Sequence, residues 1–186
     1  MRIVAGKFRG AGLAAPKGLA TRPTSDRVRQ ALFNVLVHGA PSLEFEGARV
    51  LDLFAGSGAL GLEALSRGAR FCLFVEESAD ARGAIRRNVE ALGLTGITKI
   101  WRRDVTKLGP AGRIEPFDLV LCDPPYGTGL GQRAIAAAVE GGWTAPGAVL
   151  VLEERAGFAV DWPAPLAEID RRRYGDTEIA IARAGT

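Results

Sequence analysis

Val50-Leu51-Asp52-Leu53-Phe54-Ala55-Gly56-Ser57-Gly58-Ala59-Leu60-Gly61 reads as a buried strand, a glycine turn and the start of a helix. The apolar run Val50 to Phe54 has the length of a strand covered on both faces. Gly56 and Gly58 allow a tight turn and a close approach of backbone to ligand, with no Cβ in the way. Helical spacing then runs from Ala59 to Arg67. A turn of this kind presents backbone N–H groups at a helix N-terminus, which suits a polar or anionic group. Gly56-Ser57-Gly58-Ala59-Leu60-Gly61 also fits G-x-G-x-x-G, with the acid Glu76 about twenty residues on. Such an acid holds ribose hydroxyls in a nicotinamide dinucleotide site or in an S-adenosyl-L-methionine (AdoMet) site. This stretch alone leaves both open.

Working outward, the chain alternates strand and helix. Phe71 to Val75 reads as a second strand ending at Glu76, and Ser78 can cap a helix carrying Ala81, Ile85, Val89 and Leu92. Gly96 to Trp101 reads as a third strand before Asp104, and Phe117 to Cys122 as a fourth before Asp123. A helix over Leu130 to Val139 and a fifth strand over Ala148 to Leu152 follow. Leu166 to Arg173 and Thr177 to Ala182 form a hairpin about Tyr174-Gly175-Asp176. The pattern predicts an α/β fold: a doubly wound, mostly parallel, Rossmann-like sheet with an antiparallel C-terminal edge strand. Towards the N-terminus, Ser25 caps a helix with Val28, Ala31, Leu32, Val35 and Leu36 on one face. Residues 1–40 are read as an N-terminal arm or hairpin plus this helix, and residues 41–186 as the core domain. The seam falls in the Gly- and Pro-containing loop over 39–48.

Bulk properties narrow the function class. The 186 residues are 47% hydrophobic and 24% charged, which excludes a disordered chain and leaves room for one real core. There is no long apolar span and no secretory leader pattern, so a cytoplasmic protein without membrane contact is expected. Cys72 and Cys122 lie in strand-like apolar runs and read as buried thiols; they have no metal-ligand spacing, and no metal is expected. The net charge of +3 is unevenly placed. Arg2, Lys7, Arg9, Lys17, Arg22, Arg27 and Arg29 crowd the first thirty residues against Asp26, and Arg171-Arg172-Arg173 forms a second cluster. Such unevenness suggests an anionic partner such as nucleic acid, although a solvated basic face gives the same pattern.

In open α/β sheets ligands bind beyond the carboxyl ends of the strands. Asp52, Glu76, Asp104 and Asp123 all fall at such ends. Asp52 interrupts the apolar strand, where a dinucleotide enzyme ordinarily has only apolar residues. Asp123-Pro124-Pro125-Tyr126 matches the [Asn/Asp/Ser]-Pro-Pro-[Tyr/Phe/Trp] loop of AdoMet-dependent methyltransferases that act on exocyclic amines. The amine lone pair of a base is delocalised and weakly nucleophilic. The Asp123 side chain and a loop carbonyl, that of Pro124, can accept its two N–H bonds and localise the lone pair. The prolines, Pro124 and Pro125, hold the acceptors in place. Tyr126 offers a face for base stacking. For the cofactor, Glu76 would accept from the ribose hydroxyls and Asp104 from the adenine amino group. Asp104 could equally be a helix cap. Asp52 would steady the loop of Phe54, Ala55, Gly56, Ser57 and Gly58 or meet the methionine amino group. His38 reads as a surface residue at a helix end.

Met1-Arg2-Ile3-Val4-Ala5-Gly6 with Gly10, then Arg22-Pro23-Thr24-Ser25-Asp26-Arg27-Val28-Arg29 and Leu32-Phe33-Asn34, closely resembles the RsmD-type bacterial methyltransferases of small-subunit ribosomal RNA. With the glycine turn, Glu76 and Asp123-Pro124-Pro125-Tyr126, the likeness spans nearly the whole chain. It implies AdoMet-dependent N2 methylation of one guanine in 16S ribosomal RNA; the expected setting is the assembling small ribosomal subunit, and the expected state a monomer. By the same likeness Arg22 and Thr24 lie near the cofactor and target base. One departure stands out: Ala11-Gly12-Leu13-Ala14-Ala15 lacks the basic residues that an RNA-clamping arm would carry. The rival readings are an adenine-N6 DNA methyltransferase, which uses the same loop chemistry, and a nicotinamide-dependent oxidoreductase. The second lacks a Tyr-x-x-x-Lys pair or a well-placed histidine as proton donor.

Overall fold

Every residue of the first strand, β1 (Arg49–Leu53), is buried, which requires a place inside a sheet covered on both faces. The computed structural model describes residues 1–17 and 24–186. The other strands are β2 (Phe71–Val75), β3 (Thr98–Trp101), β4 (Phe117–Cys122), β5 (Thr144–Arg155), β6 (Ala167–Tyr174) and β7 (Thr177–Arg183). They form one sheet in the order β3-β2-β1-β4-β5-β7-β6. Strands β1 to β5 are mutually parallel, while β7 runs antiparallel to both β5 and β6. The expected antiparallel closure is therefore a hairpin in which β7 lies inside and β6 takes the edge.

Alternation along the strands divides the core. Val50, Cys72, Phe74, Leu119 and Leu121 face the helices α1 (Asp26–His38), α2 (Ala59–Ser66) and α3 (Ala79–Ala91). Leu51, Leu53, Leu73, Val75, Val120 and Cys122 face α4 (Leu130–Glu140) and Trp143. This period of two places Asp52 on the α2 side. Chain order reverses between β1 and β4, whose register pairs Asp52 with Leu121 and Leu53 with Cys122. The two strands thus end level, and the loops that follow them share one crevice.

Three elements differ from the sequence reading. β3 starts at Thr98 because Thr95–Ile97 winds into a 3-10 turn. β5 is far longer than Ala148 to Leu152. At its start a register shift near Pro146-Gly147 lets Thr144 pair with Phe117, and at its end Glu153, Glu154 and Arg155 continue pairing with β7. The buried stripe of α1 is also rotated, towards Arg29 and Phe33.

Arg29 is buried because Glu63 of α2 is buried opposite it. Both side chains are fully enclosed, with Arg29 Nε 3.7 Å from Glu63 Oε2. Glu63 also accepts from Val4 N at 3.0 Å, Ala5 N at 3.1 Å and Arg67 Nε at 3.0 Å. One carboxylate thereby ties the N-terminal arm and α1 to α2. The arm closes on itself by an antiparallel bridge between Arg2 and Gly12.

Removing one partner of a buried ion pair leaves the other charge uncompensated, at about 3–5 kcal/mol. Glu63→Ala is expected to lower stability to urea by about that amount and to expose Lys7 and Arg9 to trypsin before the core is cut. Unchanged cleavage of the arm would show that Glu63 does not hold it.

Candidate active site

The first wall of the crevice is the turn after β1. Phe54, Gly56 and Gly58 all have positive φ, at 55°, 58° and 82°. For a bulky residue such as Phe54 this backbone is costly, on the order of 1–3 kcal/mol, and it persists only where its surroundings enforce it. Asp52 is one enforcer: its Oδ2 accepts from Gly61 N at 3.0 Å in the interior. Gly61 has to be glycine, since a Cβ there would lie 2.6 Å from Cys72 Sγ and from Phe74 Cε1. Burial pushes the Asp52 carboxyl well above the usual range, against the Gly61 hydrogen bond, and the charge of Glu76 adds to the rise.

Glu76, just past β2, holds the turn from the other side. Its Oε2 accepts from Gly56 N at 2.8 Å and its Oε1 from Ser78 N at 2.9 Å. Asn88 of α3 is a linchpin that the sequence reading missed. It donates to the Ser57 carbonyl and the Ala14 carbonyl at 3.0 Å each, and accepts from Ala14 N at 2.7 Å. The arm is thus fastened to the glycine turn. Asp104 follows β3 and caps a short 3-10 turn, its Oδ1 accepting from Thr106 N at 2.9 Å and Thr106 Oγ1 at 2.7 Å. These bonds hold its carboxyl below the usual range. This is the capping arrangement that was open for Asp104 beside a ligand role.

The second wall is the corner after β4. Pro124 packs so tightly on α4 that a Cβ at Gly131 would meet its Cγ at 2.7 Å. Thr128 Oγ1 donates to the Pro125 carbonyl at 2.8 Å, and Gly127 N donates to Glu154 Oε1 at 2.9 Å. Tyr126 is fixed at its hydroxyl, 2.7 Å from Glu153 Oε1 and 3.1 Å from Thr177 Oγ1. Thr24 Oγ1 reaches both Asp123 Oδ2, at 3.2 Å, and Glu153 Oε2, at 2.8 Å. Arg22 lies outside the described residues.

Glu153 is the second residue that the sequence reading missed. It is 3% exposed and stands on β5 opposite Ile179. Burial raises its carboxyl. Burial pushes Asp123 well up too, and the Glu153 charge adds to it; Thr24 works in the opposite direction. Burial and the same glutamate also raise the Tyr126 phenol.

The second basic cluster reads differently in three dimensions. Arg171 pairs with Glu168 at 2.8 Å and with Glu178 at 2.5 Å, Arg172 pairs with Asp170 at 3.0 Å, and Arg173 donates to the Gly175 carbonyl at 3.1 Å. The run is an ion-pair ladder within the β6–β7 hairpin. It is not the bare cationic patch that its sequence suggests. Among the described residues no group of three or more His, Cys, Asp or Glu side chains is placed to hold a metal ion, and no helix is long and apolar enough to cross a membrane.

Comparison with known proteins finds relatives along nearly the whole chain. The family model described as conserved hypothetical protein 95 matches residues 1–183. YlbH of Bacillus subtilis (strain 168) is 40% identical over 128 residues, covering 68% of this chain and 67% of its own. The Escherichia coli (strain K12) protein named ribosomal RNA small subunit methyltransferase D is 37% identical over 153 residues, 82% of this chain and 74% of its own. Among solved structures, yhhF of Escherichia coli superposes with a TM-score of 0.83 at 29% identity, covering 100% of this chain and 98% of that one.

Two outcomes follow for stability. A carboxyl whose proton affinity is raised by folding costs stability at neutral pH, and the cost fades as pH falls towards the unfolded-state value. Asp123→Asn is therefore expected to raise the thermal midpoint at pH 7 by roughly 2–4 °C, about 1 kcal/mol, with little gain at about pH 4. Glu168 and Glu178 have the opposite sign, since hydrogen bonds from Arg171 lower both. Arg171→Ala should lower the midpoint at pH 7 and lose that effect progressively in acid, as pH falls below the ordinary glutamate value and through the lowered values of the two partners. Calorimetry across this range checks both, and a pH-independent change in either variant contradicts the assigned cause.

Proposed function

The chain belongs to the conserved hypothetical protein 95 family, the RsmD-type RNA methyltransferases, and from that premise we propose that it methylates the exocyclic N2 amine of one guanine in 16S ribosomal RNA, using AdoMet. The observation that carries the proposal is the level ending of β1 and β4, with Leu53 beside Cys122. It brings the glycine turn and the Asp123-Pro124-Pro125-Tyr126 corner to neighbouring positions at the switch point of the sheet.

The donor set suits AdoMet. Each Glu76 oxygen already takes one backbone N–H, and an ionised carboxylate has about four lone-pair sites. Two directions therefore remain for vicinal ribose hydroxyls. Gly56, at φ 58°, has no heavy atom closer than 4.0 Å to a Cβ built there, as a backbone that a ligand must approach requires. Asp52 and Asn88 fix the turn from behind. When bound, AdoMet supplies an electrophilic methyl group on a sulfonium whose sulfur leaves with the bonding electron pair.

The rest is the work of this chain's own residues. Asp123 and the Pro124 carbonyl accept the two amine N–H bonds and draw the lone pair out of the purine ring. Tyr126, locked at its hydroxyl by Glu153 and Thr177, offers its ring to the extruded base; stacking of this kind is worth about 1–3 kcal/mol. Position and orientation supply the remainder. The carboxylate must be ionised to accept, which makes the protonation of Asp123 a central variable.

The substrate is proposed to be 16S RNA within the assembling subunit, with a single copy of the chain acting in the cytoplasm. The departure in the arm and the ion pairs of Arg171 and Arg172 leave the RNA-facing charge to Arg173 and other residues. Asp123→Ala is expected to reduce transfer of labelled methyl to RNA by at least about 10²-fold, with AdoMet affinity by calorimetry within about threefold of wild type. Parallel loss of binding would remove Asp123 from the amine-acceptor role. Mass mapping of 16S RNA from cells lacking the gene should show one guanine without its methyl group, and methyl transfer to duplex DNA adenine would favour the rival reading.

A further inference from the structure

Thr24 sits between two carboxyl groups that repel each other. Its hydroxyl oxygen is 3.2 Å from Asp123 Oδ2 and 2.8 Å from Glu153 Oε2. A threonine hydroxyl carries one proton, so it can donate to one carboxylate and not to two. For both contacts to be hydrogen bonds, the other oxygen brings a proton of its own. On the far side of Glu153, Oε1 takes the Tyr126 hydroxyl at 2.7 Å, and Thr177 Oγ1 sits behind that phenol at 3.1 Å, so the hydroxyls there supply their own protons and the shortage lies at Thr24.

The remaining charges make sharing more favourable. Asp52 and Glu154 bear on Asp123 with the same sign as Glu153. Among the described residues, Arg29 reaches the Thr24 carbonyl, at 3.4 Å, and is otherwise engaged by the Arg2 carbonyl, Asp26 and Glu63. Joint ionisation of two carboxyl groups bridged by one hydroxyl, with Glu153 buried, is disfavoured near neutrality.

We propose that Asp123 and Glu153 hold a single proton between them, and that the Thr24 hydroxyl is the conduit by which it changes sides. In one arrangement Asp123 donates to Thr24 and Thr24 donates to Glu153. In the other every bond is reversed: Glu153 holds the proton, Thr24 donates to Asp123, and Asp123 is a carboxylate. The second arrangement is the one that can accept an amine N–H, and docking of the base selects it. After the methyl–nitrogen bond forms, the nitrogen gives up one proton to Asp123. The pair then holds two protons and returns one to water as the base leaves, through the part of Asp123 that reaches the surface. Glu153 is thus a positioning residue that sets the charge on Asp123, and Thr24 is the switch between them. The step at the amine rests on the proposed role of Asp123; the shared proton does not.

Carbon-13 NMR of Asp- and Glu-labelled protein, free of ligands, tests the sharing directly. One carboxyl of the Asp123–Glu153 pair, counted apart from the buried Asp52, is expected to stay protonated through pH 7 in the wild type, and this retained proton should vanish in both Glu153→Gln and Asp123→Asn. A wild-type spectrum in which Asp123 and Glu153 are both ionised at pH 7 overturns the proposal, whatever the substrate proves to be. The conduit is tested by volume-matched variants. Thr24→Val should lower kcat for RNA methylation by about 10²-fold, with KM for RNA and AdoMet affinity unchanged. Thr24→Ser, which keeps the hydroxyl, should recover most of it. Equal activity of the valine and serine variants overturns the conduit. If wild-type protein transfers no methyl to guanine, the function reading fails while the NMR titration still decides the shared proton.

Discussion

The register between β1 and β4 is the constraint on which the site depends. Both strands are covered on two faces, so neither can slide against the other without exposing apolar side chains. A slip of one residue would turn Asp52 from α2 towards α4. Gly61 N would lose its acceptor, and the turn that carries Phe54 at positive φ would lose its support. The same slip would offset Asp123 from the glycine turn by the rise of one residue, about 3.3 Å. That error is large for methyl transfer, in which reacting atoms must approach to about 3–3.5 Å. Hydrophobic burial, which carries no chemical information of its own, thus sets the geometry of the chemistry.

Much of this was legible in the sequence because the signals are local. An apolar pentapeptide followed by glycines can be read without knowing what surrounds it, and so can a proline-locked tetrapeptide after another apolar run. Asp52, Glu76 and Asp123 were found because each directly follows or interrupts such a run. What escaped reading depends on distant partners. Glu153 stands in Glu153-Glu154-Arg155, which has the composition of a loop. It is a strand only because β7 pairs alongside it, and its role appears only when Thr24, 129 positions earlier, reaches it. Nothing beside Glu63 in the sequence marks it, yet it holds residues 58 and 59 positions earlier. Arg171-Arg172-Arg173 misled in the opposite direction. Its neutralising acids, Glu168, Asp170 and Glu178, are visible in the sequence, but their pairing depends on hairpin register.

The N-terminal segment shows how a short arm becomes part of a catalytic crevice. It has too few apolar residues to fold alone; among the described residues ahead of α1, Ile3 is the one fully buried side chain of size. Its backbone N–H groups are instead collected by side chains of the core, Glu63 for Val4 and Ala5, Ser66 for Phe8, and Asn88 for Ala14. This exchange of main-chain donors for core acceptors fixes the arm by direction as well as by area. It also makes Asn88 a shared support, since the same amide steadies the Ser57 carbonyl of the glycine turn. A disturbance of the arm would therefore be felt at the cofactor side of the crevice.

The acids at the carboxyl end of the sheet appear wasteful when considered as stability alone. Asp52, Asp123 and Glu153 all have carboxyls raised by burial, and each costs free energy at neutral pH. The cost becomes intelligible once the ligand carries positive charge. A sulfonium in the crevice is a cation in a low-dielectric setting, where its attraction to nearby carboxylates exceeds that in water. By linkage, whatever those carboxylates contribute to holding the cation, the cation returns by lowering their proton affinity. Under the proposed function the base selects the ionised form of Asp123, and a bound sulfonium would favour the same form to a small extent. The acid cluster that destabilises the protein would then couple donor binding weakly to acceptor readiness, without any movement of the backbone.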